Sequence, residues 1–205
     1  MTPQGIEPTT PALSNAVHAE LNGPRVTLRR LDSNDAAAFG DLVIANIDHL
    51  RPFMPWAANE PTTLAQRREL IDTWARESAA GRDASYGTFV GSTIIGACGL
   101  HRRSPDPDRL EVGYWIGADH CGNGFATELT FVLAEEAFGH EEIAFLDLYC
   151  DDANASSASV AERAGFRLID VSPDPESRNA PGQTGLRRHY QLARAELVAN
   201  WRERF

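Results

Sequence analysis

The segment best suited to chemistry is Cys121-Gly-Asn-Gly-Phe-Ala126. It lies between an apolar strand candidate ending near Ile116 and a helix candidate with Ala126, Leu129, Leu133 and Ala137 on one face. Free backbone N–H groups at a helix start, together with the helix dipole, form a pocket for phosphate oxygens. Glycines at 122 and 124 remove Cβ atoms, so an anion can approach the main chain and unusual dihedrals cost little. A pyrophosphate matches several successive amides best. The segment is not a P-loop, because G-x-x-x-x-G-K-[ST] is absent, nor a dinucleotide-binding turn, because the third glycine and an opening βαβ unit are missing. Alone, Gly-Asn-Gly before a helix serves equally well as a structural turn. A second polar set, Asn154-Ala-Ser-Ser157, opens a short helix after another apolar strand candidate. Asn154 and Ser157 are each either a helix cap or a hydrogen-bonding group in a site. Glu111, on the strand leading into the glycine loop, is a base, a brace for a neighbouring arginine or a carboxylate that faces solvent. His101, at the end of another strand, is a secondary base candidate. Neither Cys98 nor Cys121 has the His or Asn companions of a nucleophile. Three cysteines, odd in number and far apart, give neither a disulfide framework nor a zinc pattern, so no metal is expected.

The elements that would position these groups are readable from periodicity. Residues 1–22 carry three prolines and no sustained period and are expected to form a disordered tail, with one domain over 23–205. Arg25 to Arg30 alternates as a strand, and Asp32 to Asp35 offers caps for a helix ending near Ile47. Pro52 and Pro55 make a non-helical connection carrying Phe53, Met54 and Trp56. Thr63 and Gln66 form a capping-box pattern for a second helix that ends at Gly81. Tyr86 to Leu100 reads as a hairpin turning at Gly91-Ser92, followed by a strand over 109–116 and a helix over 124–138. A strand over 143–149, a helix over 157–164 and a strand over 166–171 come next. The Pro/Gly-rich loop 172–185, a strand over 187–192 and an exposed terminal helix complete the chain. One mixed α/β domain results.

Taken in order, these pieces resemble the GNAT superfamily of acetyl-CoA-dependent N-acetyltransferases, and within it the RimJ/RimL-type branch. The branch pattern is E-(I/V)-G-Y-W-(I/L), then Q/R-x-x-G-x-G/A before a helix, then N-x-x-S-x-x-V-x-E-(K/R)-x-G-F. This chain supplies Glu111 to Ile116, then Gly124 and Ala126, then Asn154, Ser157, Glu162, Arg163, Gly165 and Phe166. Residues 49–57 (HLRPFMPWA) and 96–101 (GACGLH) also resemble the branch, and the likeness spans about 24 to 195. It departs at Cys121, where the branch has Gln or Arg.

The resemblance implies a mostly antiparallel mixed sheet, flanked by helices and splayed at the acetyl-CoA strand. The amides from Gly122 through Asn123, Gly124 and Phe125 to Ala126, with Cys121 beside them, would hold the pyrophosphate of coenzyme A. Its pantetheine arm would pair with the strand edge at Ile116, and Asn154 would bond that arm or cap its own helix. Ser157 would protonate the leaving thiolate, and Glu111 would act as base. Phe53, Trp56, Tyr114, Trp115 and Tyr190 would line the acceptor site, as aromatic walls suit a methylene chain or planar group. An α-amino group titrates near ~7.7–8.0 and a lysine near ~10.4, so a weak base points to an α-amino acceptor such as a protein or peptide N-terminus. Alternatives are a small-molecule amine acetyltransferase, acting on an antibiotic, toxin or aminoacyl nucleotide, and a non-catalytic acyl-CoA-binding domain, which Cys121 would favour. Homodimers are common in this branch.

Composition sets outer limits. The chain has 205 residues, enough for one domain with a real core. Nineteen basic against 29 acidic residues give a net charge of −10, which argues against nucleic acid and suits a cationic acceptor. No apolar run is long enough to cross a membrane and no secretory leader is evident, so a cytoplasmic protein without a membrane partner is expected.

Overall fold

The computed structural model describes residues 17–174 and 180–205. An eight-stranded sheet has the order β1-β2-β3-β4-β5-β6-β8-β7. Its strands are β1 (Glu20–Asn22), β2 (Thr27–Arg29), β3 (Ala84–Val90), β4 (Thr93–His101), β5 (Arg109–Ile116), β6 (Phe145–Asp151), β7 (Arg167–Pro173) and β8 (Leu186–Ala193). Every pair is antiparallel except β5–β6. The helices are α1 (Ala36–Ala45), α2 (Ile47–Leu50), α3 (Leu64–Ala79), α4 (Phe125–Phe138) and α5 (Ala155–Arg163). The mixed architecture and its mostly antiparallel sheet agree with expectation.

Two apolar layers cover the sheet. On one face, Leu129, Leu133 and Ala137 of α4 and Ala158 and Ala161 of α5 pack on Val112, Ile116, Leu146 and Leu148. On the other, Phe39 and Val43 of α1 and Ile71 of α3 pack on Phe89, Ala97 and Trp115. Local chemistry sets the helix starts. Thr63 Oγ1 accepts from the Gln66 amide and the Gln66 side chain accepts from the Thr63 amide, closing the capping box at α3. Asn154 Oδ1 accepts from the Ser157 amide at 3.1 Å and so caps α5.

Three expectations change. The tail over 1–22 is too long: Val17 is buried, Glu20–Asn22 forms β1, and Glu136 accepts from the His18 amide. A three-residue strand has too few alternations to show a period, and its partners lie far along the chain. Residues 1–16 of that tail, and 175–179 of the 172–185 loop, lie outside the described residues. The C-terminus forms 3₁₀ turns at Arg194–Glu196 and Trp201–Arg204 instead of an exposed helix. It is anchored, because Trp201 stacks on Phe131 with centroids 5.3 Å apart and is 2% exposed. The proline-rich 49–57 segment is partly helical: the single turn α2 (Ile47–Leu50) ends in it, and a 3₁₀ turn over Pro55–Asn59 begins in it.

Trp201 therefore closes the core behind α4. Trp201→Ala is expected to cost about 3–5 kcal/mol by removing a buried aromatic. Urea unfolding reads this as a lower midpoint, and an unchanged midpoint would mean that the terminus does not seal the core.

Candidate active site

β5 and β6 run parallel but pair only through Arg109↔Phe145, Leu110↔Leu146 and Glu111↔Asp147. Beyond that point β5 stays with β4 as far as Gly96↔Ile116, while β6 follows β8. Among the described residues, Val112 to Ile116 therefore has no strand partner on the β6 side. The wedge opens into two cavities. One, of about 880 Å³, is lined by Ile116, the loop residues Cys121, Gly122 and Gly124, the start of α4 at Phe125 and Ala126, and the start of α5. The other, of about 800 Å³, is lined by Glu111, His101, Trp56, Trp74, Trp115 and Arg187 among others. Phe53, Met54, Tyr114, Trp115, Asn154 and Ser157 border both, so the cavities meet there.

The loop before α4 has the expected form. Gly122 and Gly124 have φ of 78° and 80°, a left-handed conformation that side chains resist. Gly124 is the N-cap of α4 and no side chain caps the helix, so its first amides face the cavity uncapped. The loop is braced from below. Buried Glu128 accepts from the Arg25 and Val26 amides and from Arg25 Nε at 2.8 Å. The Arg25 guanidinium donates to the Asn123 carbonyl at 3.1 Å and lies over Phe125. The Asn123 side chain donates to the His120 and Cys121 carbonyls, which holds the turn and leaves its backbone amide as the group assigned to the loop. Cys121 is exposed, with Sγ 3.7 Å from His49 Nε2 and 3.6 Å from the Gly117 carbonyl, and burial pushes its thiol pKa up. Burial pushes Cys98 up to about 12. Neither thiol is poised as a nucleophile.

Ser157 does not cap α5, since Asn154 does. Its hydroxyl lies 3.0 Å from the Tyr114 hydroxyl, across the open wedge. Burial raises the Tyr114 pKa, so the phenol stays protonated and can donate to Ser157 Oγ. The aromatic pattern marks Tyr114 as a wall residue, and periodicity alone does not reveal that its hydroxyl meets Ser157.

Glu111 is half-buried on the wall of the second cavity. Burial raises its pKa, opposed by His101, Arg103 and Arg187 and aided by Asp147. Among the described residues no hydrogen bond or ion pair holds its carboxylate, although Arg103 and Arg187 are close enough to act on it through charge. Trp56 and Trp115 pack together with centroids 6.0 Å apart and planes tilted by 50°, and Phe53 borders the junction. A buried pair missed by sequence reasoning, Arg67 to Glu60 at 2.7 Å, lies at the aromatic end of this cavity. Tyr190 is a correction. It is wholly buried under α5, where its hydroxyl donates to Glu162 and accepts from Arg188, and it lines neither cavity. Strand alternation gives two faces without saying which meets the ligand, and Tyr190 lies on the helix-covered one. Among the described residues no cluster of three or more His, Cys, Asp or Glu could hold a metal, and no helix is long and apolar enough to cross a membrane.

Residues 25–167 match the family described as Acetyltransferase (GNAT) domain. The chain is 28% identical over 141 residues to YdaF of Bacillus subtilis, whose name assigns it provisionally to the ribosomal N-acetyltransferases; the match covers 69% of this chain and 77% of YdaF. Among solved structures, RimL, a ribosomal α-N-protein acetyltransferase in complex with coenzyme A, superposes with a TM-score of 0.77 at 19% identity, over 85% of this chain and 97% of that one. The microcin self-immunity acetyltransferase MccE, in complex with acetyl-CoA and AMP, does so at 0.74 and 20%, over 82% and 92%. At these identities the two structures speak for the fold.

The brace under the glycine loop is testable. Arg25→Ala leaves the Glu128 carboxylate buried with only backbone partners and is expected to cost about 3 kcal/mol. Urea denaturation gives the value, and a loss below about 0.5 kcal/mol would class the pair with ordinary surface ion pairs.

Proposed function

This chain belongs to the GNAT acetyltransferase family, on its RimJ/RimL-type branch, and we propose that the primary amine it acetylates from acetyl-CoA is the α-amino group of a protein or peptide N-terminus. The observation that carries this reading is the junction of two cavities at Tyr114 and Ser157, with an uncapped helix start on one side and an unpaired carboxylate on the other. The loop suits a pyrophosphate: a Cβ added to Gly122 would meet nothing within 4 Å, while one on Gly124 would come within 3.3 Å of the Arg25 guanidinium. The first cavity would hold acetyl-CoA, which supplies an activated acetyl thioester.

The chain's own groups then divide the work. Amides from Gly122 to Ala126 bind phosphate oxygens, and Asn154 keeps the start of α5 in place. The edge of β5 offers its backbone to an extended arm, as in strand addition, with the Ile116 amide available to a thioester oxygen. Glu111 removes the ammonium proton, for which a carboxylate with a raised pKa is better matched than an ordinary one. Ser157 donates to the departing sulfur, and Tyr114 supports Ser157 by hydrogen bonding. An α-amine suits this arrangement, since its pKa is about 2 units below that of a lysine and a carboxylate base suffices. The aromatic wall formed by Trp56 and Trp115 favours a second reading, in which a small planar amine is the acceptor.

A thiol-release assay with acetyl-CoA separates the two readings. The amines are peptides with free N-termini, polyamines, aminoglycosides and aminoacyl adenylate analogues. The chain has no lysine, so self-acetylation can involve only its own N-terminus. Turnover on peptides supports the proposal, turnover confined to small amines supports the second reading, and no turnover overturns both. Ser157→Ala is expected to lower kcat at least about tenfold with coenzyme A affinity nearly unchanged, measured by calorimetry. Equal losses in both would remove the acid role. Glu111→Gln is expected to lower kcat/KM about a hundredfold and to abolish its rise with pH through the Glu111 ionisation, which lies above the ordinary glutamate range. A variant that keeps that limb would assign the base elsewhere.

A further inference from the structure

His101 ends β4 directly opposite Glu111 on β5, so the two side chains leave the same face of the sheet with Cβ atoms about 5 Å apart. Both line the second cavity. His101 Nδ1 lies 3.0 Å from Asp83 Oδ2. Asp83 also accepts from the Arg102 amide at 3.1 Å and pairs with the Arg103 guanidinium at 2.8 Å. Burial alone would raise the Asp83 carboxyl, but the hydrogen bonds from His101 and Arg103 outweigh it and bring the pKa down to about 2. An ionised carboxylate only accepts, so Nδ1 is the protonated nitrogen and neutral His101 keeps a lone pair on Nε2. That nitrogen lies over a bare patch of sheet. Gly99 and Gly113 are cross-strand partners, and a Cβ on either would lie 3.0 and 3.2 Å, respectively, from Nε2. Two glycines leave room for the imidazole to lie along the sheet beside Glu111, while its side chain stays 23% exposed.

We propose that His101, oriented by Asp83, carries the amine's proton from Glu111 to solvent. The inference rests on the reading of this cavity as the acceptor site. The acceptor enters as an ammonium, and the products are a neutral amide and a neutral thiol, so one proton must leave in each turnover. The ammonium proton passes to the Glu111 carboxylate, then to Nε2, forming an imidazolium beside the Asp83 carboxylate, and then to water. The proton that Ser157 gives to sulfur is replaced from the reacting nitrogen, so the serine ends as it began. The charged groups facing this path are Asp83 before β3, Arg103 after β4, Glu111 on β5, Asp147 on β6 and Arg187 on β8. Asp83 is a positioning residue, since it acts through the ring.

The test uses the full-length enzyme with acetyl-CoA and its best amine from the panel above. His101→Ala is expected to lower kcat/KM at least about tenfold, to leave coenzyme A affinity within about twofold, and to recover severalfold with added imidazole, which fits the space over Gly99 and Gly113. His101→Gln keeps side-chain bulk and is expected to be as slow. Asp83→Asn is expected to lower the rate less. Wild-type rates in both His101 variants, or a loss that imidazole leaves unrepaired, overturn the proposal. A wild-type enzyme inactive on every amine overturns the acceptor-site reading beneath it, and the proposal with it.

Discussion

The parting of β5 from β6 after three paired residues is the constraint on which the other features of the site depend. A strand that leaves its neighbour exposes a row of N–H and C=O groups, and each such group buried without a partner costs roughly 1–3 kcal/mol. The fold tolerates this because both strands remain anchored on their outer sides, β5 to β4 and β6 to β8. The wedge lies at the C-terminal ends of the one parallel pair among the described residues, and both strands lead there into helices, α4 after β5 and α5 after β6. Two helix starts therefore converge on one opening, as ligand sites in parallel sheets do. Tyr114 from β5 and Ser157 from α5 meet across the gap where backbone pairing has stopped.

Electrostatics works at two ranges. A chain of net charge −10 repels an anionic ligand at a distance, yet the glycine loop presents amides. Backbone dipoles act at contact, while charges in solvent are screened over about 8–10 Å, so local geometry outweighs net charge at the loop. The arginines near the sites are largely committed. Arg25 holds Glu128, Arg67 holds Glu60 and Arg103 holds Asp83. Glu111, on the wall of the second cavity, has no such partner among the described residues.

What the residues reveal in advance depends on sequence separation. The glycine loop, the Thr63 capping box and the Asn154 cap are formed by groups within about four positions, and their types and spacing carry the geometry. β5 is legible over 109–116 as it stands, whereas β6 reads as an apolar run over 143–149 and lies two residues further on, because an unbroken apolar run does not mark where pairing begins. Contacts between distant segments are not legible: Arg25 with Glu128 spans 103 positions, Tyr114 with Ser157 spans 43, and His101 with Asp83 spans 18. Tyr190 shows a second limit, because alternation separates two faces without telling which one a helix will cover. The terminal turns show a third, since a single Trp201 packing into the core outweighs the helical spacing around it.

Alternation along β5 divides its side chains between the two faces of the sheet. Val112, Tyr114 and Ile116 belong to the layer under α4 and α5, whereas Trp115 packs with the α1 and α3 layer, on the face shared by Glu111 and Gly113. Tyr114, which meets Ser157, and Glu111 are therefore only three residues apart, yet point in opposite directions. Because β6 is missing beside Val112 to Ile116, the faces communicate through the wedge, and a substrate reaching through it can meet both. A register slip of one residue would exchange the faces and put Glu111 under the helices, in an apolar layer with no charge to receive it. The ladder between β4 and β5, continuous from Gly96↔Ile116 to His101↔Glu111, prevents that slip and so fixes the site's polarity along with its shape.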